Sequence, residues 1–107
     1  MSAYEPIIKN SVSGTALLVR AGKLEVGVVE AINTTAAAAY LQLFDAAAAA
    51  DVTPGTTLPR YVLKSAANDP AASSLEGWVF QLGLVVASTT TVIGSTGAEQ
   101  HVRLGVR

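Results

Sequence analysis

The chain predicts an all-β domain, an antiparallel β-sandwich of jelly-roll-like form with about seven to eight strands. Three observations carry that prediction. Short segments rich in Val, Leu, Ile, Thr and aromatic residues recur with a period of two. Gly, Pro, Asn and Ser punctuate them, at Gly22, Pro54-Gly55, Asn68-Asp69-Pro70 and Gly94-Ser95-Thr96-Gly97. No stretch carries the apolar spacing of an amphipathic helix.

With 107 residues the chain is read as an extended N-terminal arm, residues 1–13, followed by one β-sandwich domain, residues 14–107. Pro6 lacks the N–H that a regular strand ladder needs, and little apolar periodicity precedes Val12. Such an arm is either loose or laid across a neighbouring subunit.

Gly14 to Ala21 is the first expected strand and Lys23 to Asn33 the second, with Ala21-Gly22-Lys23 joining them as a hairpin. On the second strand Leu24, Val26, Val28 and Ile32 share one face, and Glu25, Gly27, Val29 and Ala31 the other. Asn33-Thr34-Thr35 ends the pattern; it matches a glycosylation sequon, but local turn formation by these side chains explains it.

The third strand, Ala38 to Asp45, is the centre of the pattern. Tyr40, Gln42 and Phe44 fall on one side and Ala39, Leu41 and Leu43 on the other, so neither side suits open water. A second sheet, neighbouring loops or another subunit must cover both. The five alanines Ala46 to Ala50 favour helix but are too few to nucleate one unaided, which leaves a helical turn or an irregular excursion. Val52 to Pro59 completes a long connection of the kind that crosses between two sheets.

Arg60 to Ser65 is a fourth strand, Ala66 to Ser74 a loop, and Leu75 to Gln81 a fifth strand with Glu76, Trp78 and Phe80 on one side. Leu82 to Thr90 is a sixth strand, or the fifth continued through a bulge or corner at Gly83. In the last segment, Glu99 to Arg107, Gln100, Val102, Leu104 and Val106 alternate cleanly with His101, Arg103, Gly105 and Arg107. The uncharged run Gly77 to Ala98 has Gln81, four glycines and β-type valine clusters, so it is read as strands and not as a membrane span.

Charge and chemistry exclude more than they suggest. Net charge is −1, and the Lys and Arg residues are scattered, so no nucleic-acid footprint exists. Cysteine is absent, which removes disulfides and thiolate metal sites and fits synthesis inside a cell. Met1 to Asn10 does not read as a secretory signal. His101, the one histidine, has no nucleophile-elbow motif to serve, and the eight carboxylates are dispersed without a calcium-type grouping. Gly94-Ser95-Thr96-Gly97 is followed by neither Lys nor a helix and is a turn, not a phosphate loop. No catalytic, cofactor-binding or metal-binding residue is expected, and no small-molecule ligand. Trp78 with Tyr4, Tyr40 and Tyr61 offers an aromatic platform for sugar or base stacking, against the alternative that Trp78 and Phe80 pack in the core or at a subunit boundary.

Only 14% of the residues are charged, half are hydrophobic, and mean hydropathy is +0.43. A free-standing domain typically carries about 25% charged residues. The shortage points to a subunit of a larger assembly, against the alternative of an Ala- and Thr-rich surface that is neutral without being sticky. Candidate residues for a subunit interface, or for docking on such an assembly, are Tyr4, Pro6, Ile7, Ile8, Tyr40, Phe44 and Trp78.

Three segments together carry a family likeness: Tyr40-Leu41-Gln42-Leu43-Phe44-Asp45, the Pro-Gly loop ending in Leu58-Pro59, and Gly83 to Thr90 with its Ser88-Thr89-Thr90. In these the chain resembles the small β-sandwich virion proteins of tailed phages, with the five-alanine insertion as a departure. The resemblance implies a head-decoration (cement) protein that forms a homotrimer on the major capsid protein lattice. It implies no catalytic residue. The alternative it allows is a receptor- or carbohydrate-binding module of a tail fibre or spike. Either would be made in the bacterial host cytoplasm, and the cement protein would sit on the capsid surface.

Overall fold

The computed structural model describes residues 3–107. Eight strands form in chain order: β1 (Glu5–Val12), β2 (Leu17–Ala21), β3 (Leu24–Asn33), β4 (Ala39–Asp45), β5 (Tyr61–Ser65), β6 (Pro70–Phe80), β7 (Gly83–Thr89) and β8 (Gln100–Val106). Of the five-alanine run, Ala49 and Ala50 enter a single 3₁₀ turn, Ala49–Asp51, and Ala46 to Ala48 are irregular.

All pairings are antiparallel, and the first half of the chain pairs with the second half in reverse. β1 lies on β8, β2 on β7, β3 on β6 and β4 on β5. Rolling this ribbon brings β8 also against β3 and β7 against β4, giving a first sheet β1-β8-β3-β6 and a second sheet β2-β7-β4-β5. That wrapping is a jelly roll, as expected.

The core fills the space between the sheets. Leu24, Val26, Val29 and Leu104 from the first sheet meet Leu41, Leu43, Leu84 and Val86 from the second. β8 behaves as its alternation predicts, with Gln100, Val102, Leu104 and Val106 buried and His101 and Arg103 exposed.

Several expectations need correction. β2 and β3 are not a hairpin; they lie in different sheets, and Ala21-Gly22-Lys23 is a corner between layers. Gly22 has φ 88° and its N–H donates to Leu82 O at 2.9 Å. A tight-turn signal cannot separate a hairpin from a corner, because both need a residue at positive φ. A second corner runs beside the first. β6 passes to β7 through Gln81 and Leu82, whose N–H groups both donate to the Asp45 carboxylate, at 3.0 and 2.8 Å. Gly83 completes this corner as expected: a Cβ there would lie 2.6 Å from Ala46 O and 2.8 Å from Arg20 O.

The connection between β4 and β5 does not cross between sheets, since the two strands are neighbours in one sheet. The loop expected over Ala66 to Ser74 is shorter, because β6 starts at Pro70; Asn68, at φ 53°, makes the turn before it. Residues 5–12, expected as part of an extended arm, are extended and are hydrogen-bonded into the domain's own first sheet through β8. Pro6 is tolerated there because β1 is an edge strand.

The single-phase reading of β3 also fails. Register slips between Val26 and Val28 against both neighbours, with Gly27 between them. Before the slip Leu24 and Val26 are buried; after it Val29 and Ala31 are, and Val28 turns outward. A bulge shifts every later side chain to the opposite face.

Candidate interaction surfaces

The two sheets present very different outer faces. On the second sheet, Gln42 and Phe44 of β4 and Val85 and Ala87 of β7 point away from the main core, yet all are buried. Ala46 and Val52, from the loop after β4, pack on Phe44, Val85 and Ala87 as a second small core. The loop between β7 and β8 covers the rest: Gln42 Nε2 donates to Gly94 O of that loop at 3.2 Å, and to Thr89 Oγ1 at the end of β7 at 2.6 Å. The two covering loops touch where a Cβ on Gly55 would meet Ser95 Cβ at 3.2 Å. Both faces of β4 are thus covered by this chain alone.

The first sheet has no such roof among the described residues. Register places Pro6 and Ile8 of β1, Arg103 and Gly105 of β8, Val28 and Glu30 of β3 and Ala72 of β6 on one outward surface. Ile8 is 60% exposed and Val28 47%. A concavity of about 320 Å³ opens here between Tyr4, Pro6, Val28, Ala72 and the Glu30–Arg103 pair, whose charged atoms are 3.7 Å apart.

Tyr4 is seated at the rim of this face. A Cβ on Gly27 would stand 2.7 Å from its Cζ, and one on Gly105 3.5 Å from its Cβ, so the two glycines form the floor for the residue. The Arg107 guanidinium lies 4.3 Å from the ring centroid and its Nε donates to Glu25 Oε2 at 3.1 Å.

A different cluster stands at the open edge between β5 and β6. Trp78 meets Tyr61 edge-on, with centroids 5.4 Å apart and planes at 81°. The Arg60 guanidinium lies over both Trp78, at 5.3 Å, and Phe80, at 5.5 Å. Tyr61 OH donates to Ser73 Oγ at 2.8 Å.

The seven candidate interface residues therefore separate. Pro6 and Ile8 are exposed on the bare face, and Tyr4 borders it. Ile7 turns inward onto the main core. Tyr40 is half-buried on the roofed side under Lys64, 5.9 Å from its ring. Phe44 is corrected outright: at 1% exposure it is core, and no partner can reach it. Trp78 is 38% exposed. Val28, Glu30 and Arg103 also stand on the bare face, and Arg60 beside Trp78, without a mark in the sequence. The first depends on the Gly27 bulge, Glu30 and Arg103 on the pairing of β3 with β8, and Arg60 on ring contacts with β6. His101 stands exposed on β8 opposite Ile32, and the described residues contain no group of three or more His, Asp or Glu side chains that could hold a metal ion.

No family model, curated protein or solved structure matches the chain. Its class is defined by architecture: a small jelly-roll domain with one sheet roofed by its own loops and the other open to contact. Jelly rolls serve viral capsids and lectins among other roles, so function has to be argued from the surfaces.

Proposed function

We propose that this protein is a structural component of a phage virion, a capsid decoration (cement) protein that binds the major capsid protein lattice as a homotrimer and stabilises the head. The observation that supports this reading is the bare outer face of the first sheet, where Ile8, Val28 and Pro6 are exposed around a neutral Glu30–Arg103 pair. The low charge of the chain supports it as well. The doubly apolar β4 does not, because its cover comes from within the chain. In this role the protein carries out no reaction and takes no cofactor. It acts by burying apolar surface at subunit joints, where modest contacts repeated by symmetry sum to a large resistance to outward pressure. Native mass measurement and co-sedimentation with capsid shells test it: a trimer that pellets with shells is expected, and a monomer that stays in the supernatant refutes it.

The exposed Trp78 beside Tyr61 favours a second reading, a receptor- or carbohydrate-binding module of a tail fibre or spike. Glycan-array binding lost in Trp78→Ala would support that reading over the first.

A further inference from the structure

Among the described residues two arginines lie over aromatic rings, and one of the two has a carboxylate. Arg107 over Tyr4 is paired with Glu25 at 3.1 Å, so that cation, ring and acid complete one another. Arg60 over Trp78 and Phe80 has the cation and the rings, yet among the described residues no carboxylate pairs with it and its side chain donates no hydrogen bond. Lys64 also lies over a ring, that of Tyr40, but a lysine ammonium on a flexible stem is not held as a planar fork. Arg60 lies over two rings and is exposed, so a carboxylate can reach its guanidinium, whose planar fork accommodates an acid through two parallel hydrogen bonds.

We propose that Arg60, with Trp78 and Tyr61, is the anchor of a protein-docking site that receives an Asp or Glu side chain of a partner protein. Three features favour a protein partner. Arg, Trp and Tyr are the residues most enriched where binding energy concentrates in protein interfaces. The cluster stands at an open sandwich edge, away from the concavity on the first sheet. The unmet charge of Arg60 is complementary to an acid. The inference rests on the decoration reading only for the partner's identity, which would be the capsid lattice.

Trp78 is the chain's one tryptophan, so its emission reports on the site directly. Titration with N-acetyl-glutamate α-amide, whose one carboxylate is the side chain's, is expected to give a saturable emission change that N-acetyl-glutamine α-amide does not, weakened by salt. Arg60→Gln should abolish the change, and Arg103→Gln, on the other face, should leave it. A response equal for both probes, no response, or a response surviving in Arg60→Gln overturns the proposal. With capsid shells, Arg60→Gln should weaken binding at least about tenfold. Shells that bind wild type and Arg60→Gln equally remove this inference and leave the decoration reading standing; shells that bind neither, while Trp78 still responds to glutamate through Arg60, remove the decoration reading alone. An Arg60-dependent self-association in native mass spectra would make the acid a second copy's and also overturn it.

Discussion

β4 and β3 each occupy the middle of a four-stranded sheet, and each carries apolar residues on its outward side. Outward from β4 stand Tyr40, Gln42 and Phe44; outward from the later part of β3 stand Val28, Glu30 and Ile32. Loops roof the first set so well that Gln42 and Phe44 are fully buried, whereas Val28 is left 47% exposed. The difference lies in the length of the connections on each side. Residues 46–60 separate β4 from β5, and residues 90–99 separate β7 from β8; both loops fold back over the second sheet. The connections at the ends of β3 are the tight Gly22 corner, shared with β2, and a short loop to β4. An apolar outer face therefore points to a partner only when no loop is long enough to cover it.

The largest test of that contrast is Phe44→Ala. If the roofed side is true core, the substitution should cost about 3–5 kcal/mol, read as a lowered urea midpoint with an unchanged slope. A loss below about 1 kcal/mol would mean that the loops cover β4 without packing on it. Next comes Gly83→Ala at the corner, where an added Cβ would press on two backbone carbonyls and the φ of 149° is unfavourable for alanine. We expect about 2–3 kcal/mol. Gly22→Ala, at the neighbouring corner with open space around it, should cost less, about 1–2 kcal/mol from its positive φ alone. Equal losses at the two glycines would show that backbone conformation, and not the close approach, sets the corner.

Asp45→Asn keeps one of the two acceptors that hold Gln81 and Leu82, so a loss of about 1 kcal/mol is expected. Faster amide exchange at one of those two N–H groups would locate the effect. The smallest change in fold stability belongs to the bare face. Val28→Thr and Ile8→Thr should each shift unfolding by no more than about 0.5 kcal/mol, while weakening attachment to capsid shells. If they destabilise the isolated chain strongly, that face is part of its core and the contrast with β4 disappears.

The candidate site was only partly legible. Pro6 and Ile8 are picked out by their apolar character in a poorly patterned segment, and both are exposed. Phe44 has the same apolar character, yet its burial depends on Val52 of the loop after β4 and Val85 of a distant strand. Arg60 gave no signal at all. The part proposed for it depends on its guanidinium lying over Trp78 and Phe80, which are on a strand of the opposite sheet.

From residue order alone came the all-β class, the alternation of β8, the corner at Gly83 and the two-sided apolarity of β4. Each is a local property: a period of two, a missing Cβ, or a run of side chains is written within a few consecutive positions. Tertiary structure decided that Gly22 turns between layers, that β1 joins β8, that the phase of β3 reverses at Gly27, and that loops roof one sheet and spare the other. Those outcomes depend on partners far along the chain, and one extra residue in a strand is enough to exchange its buried and exposed sides.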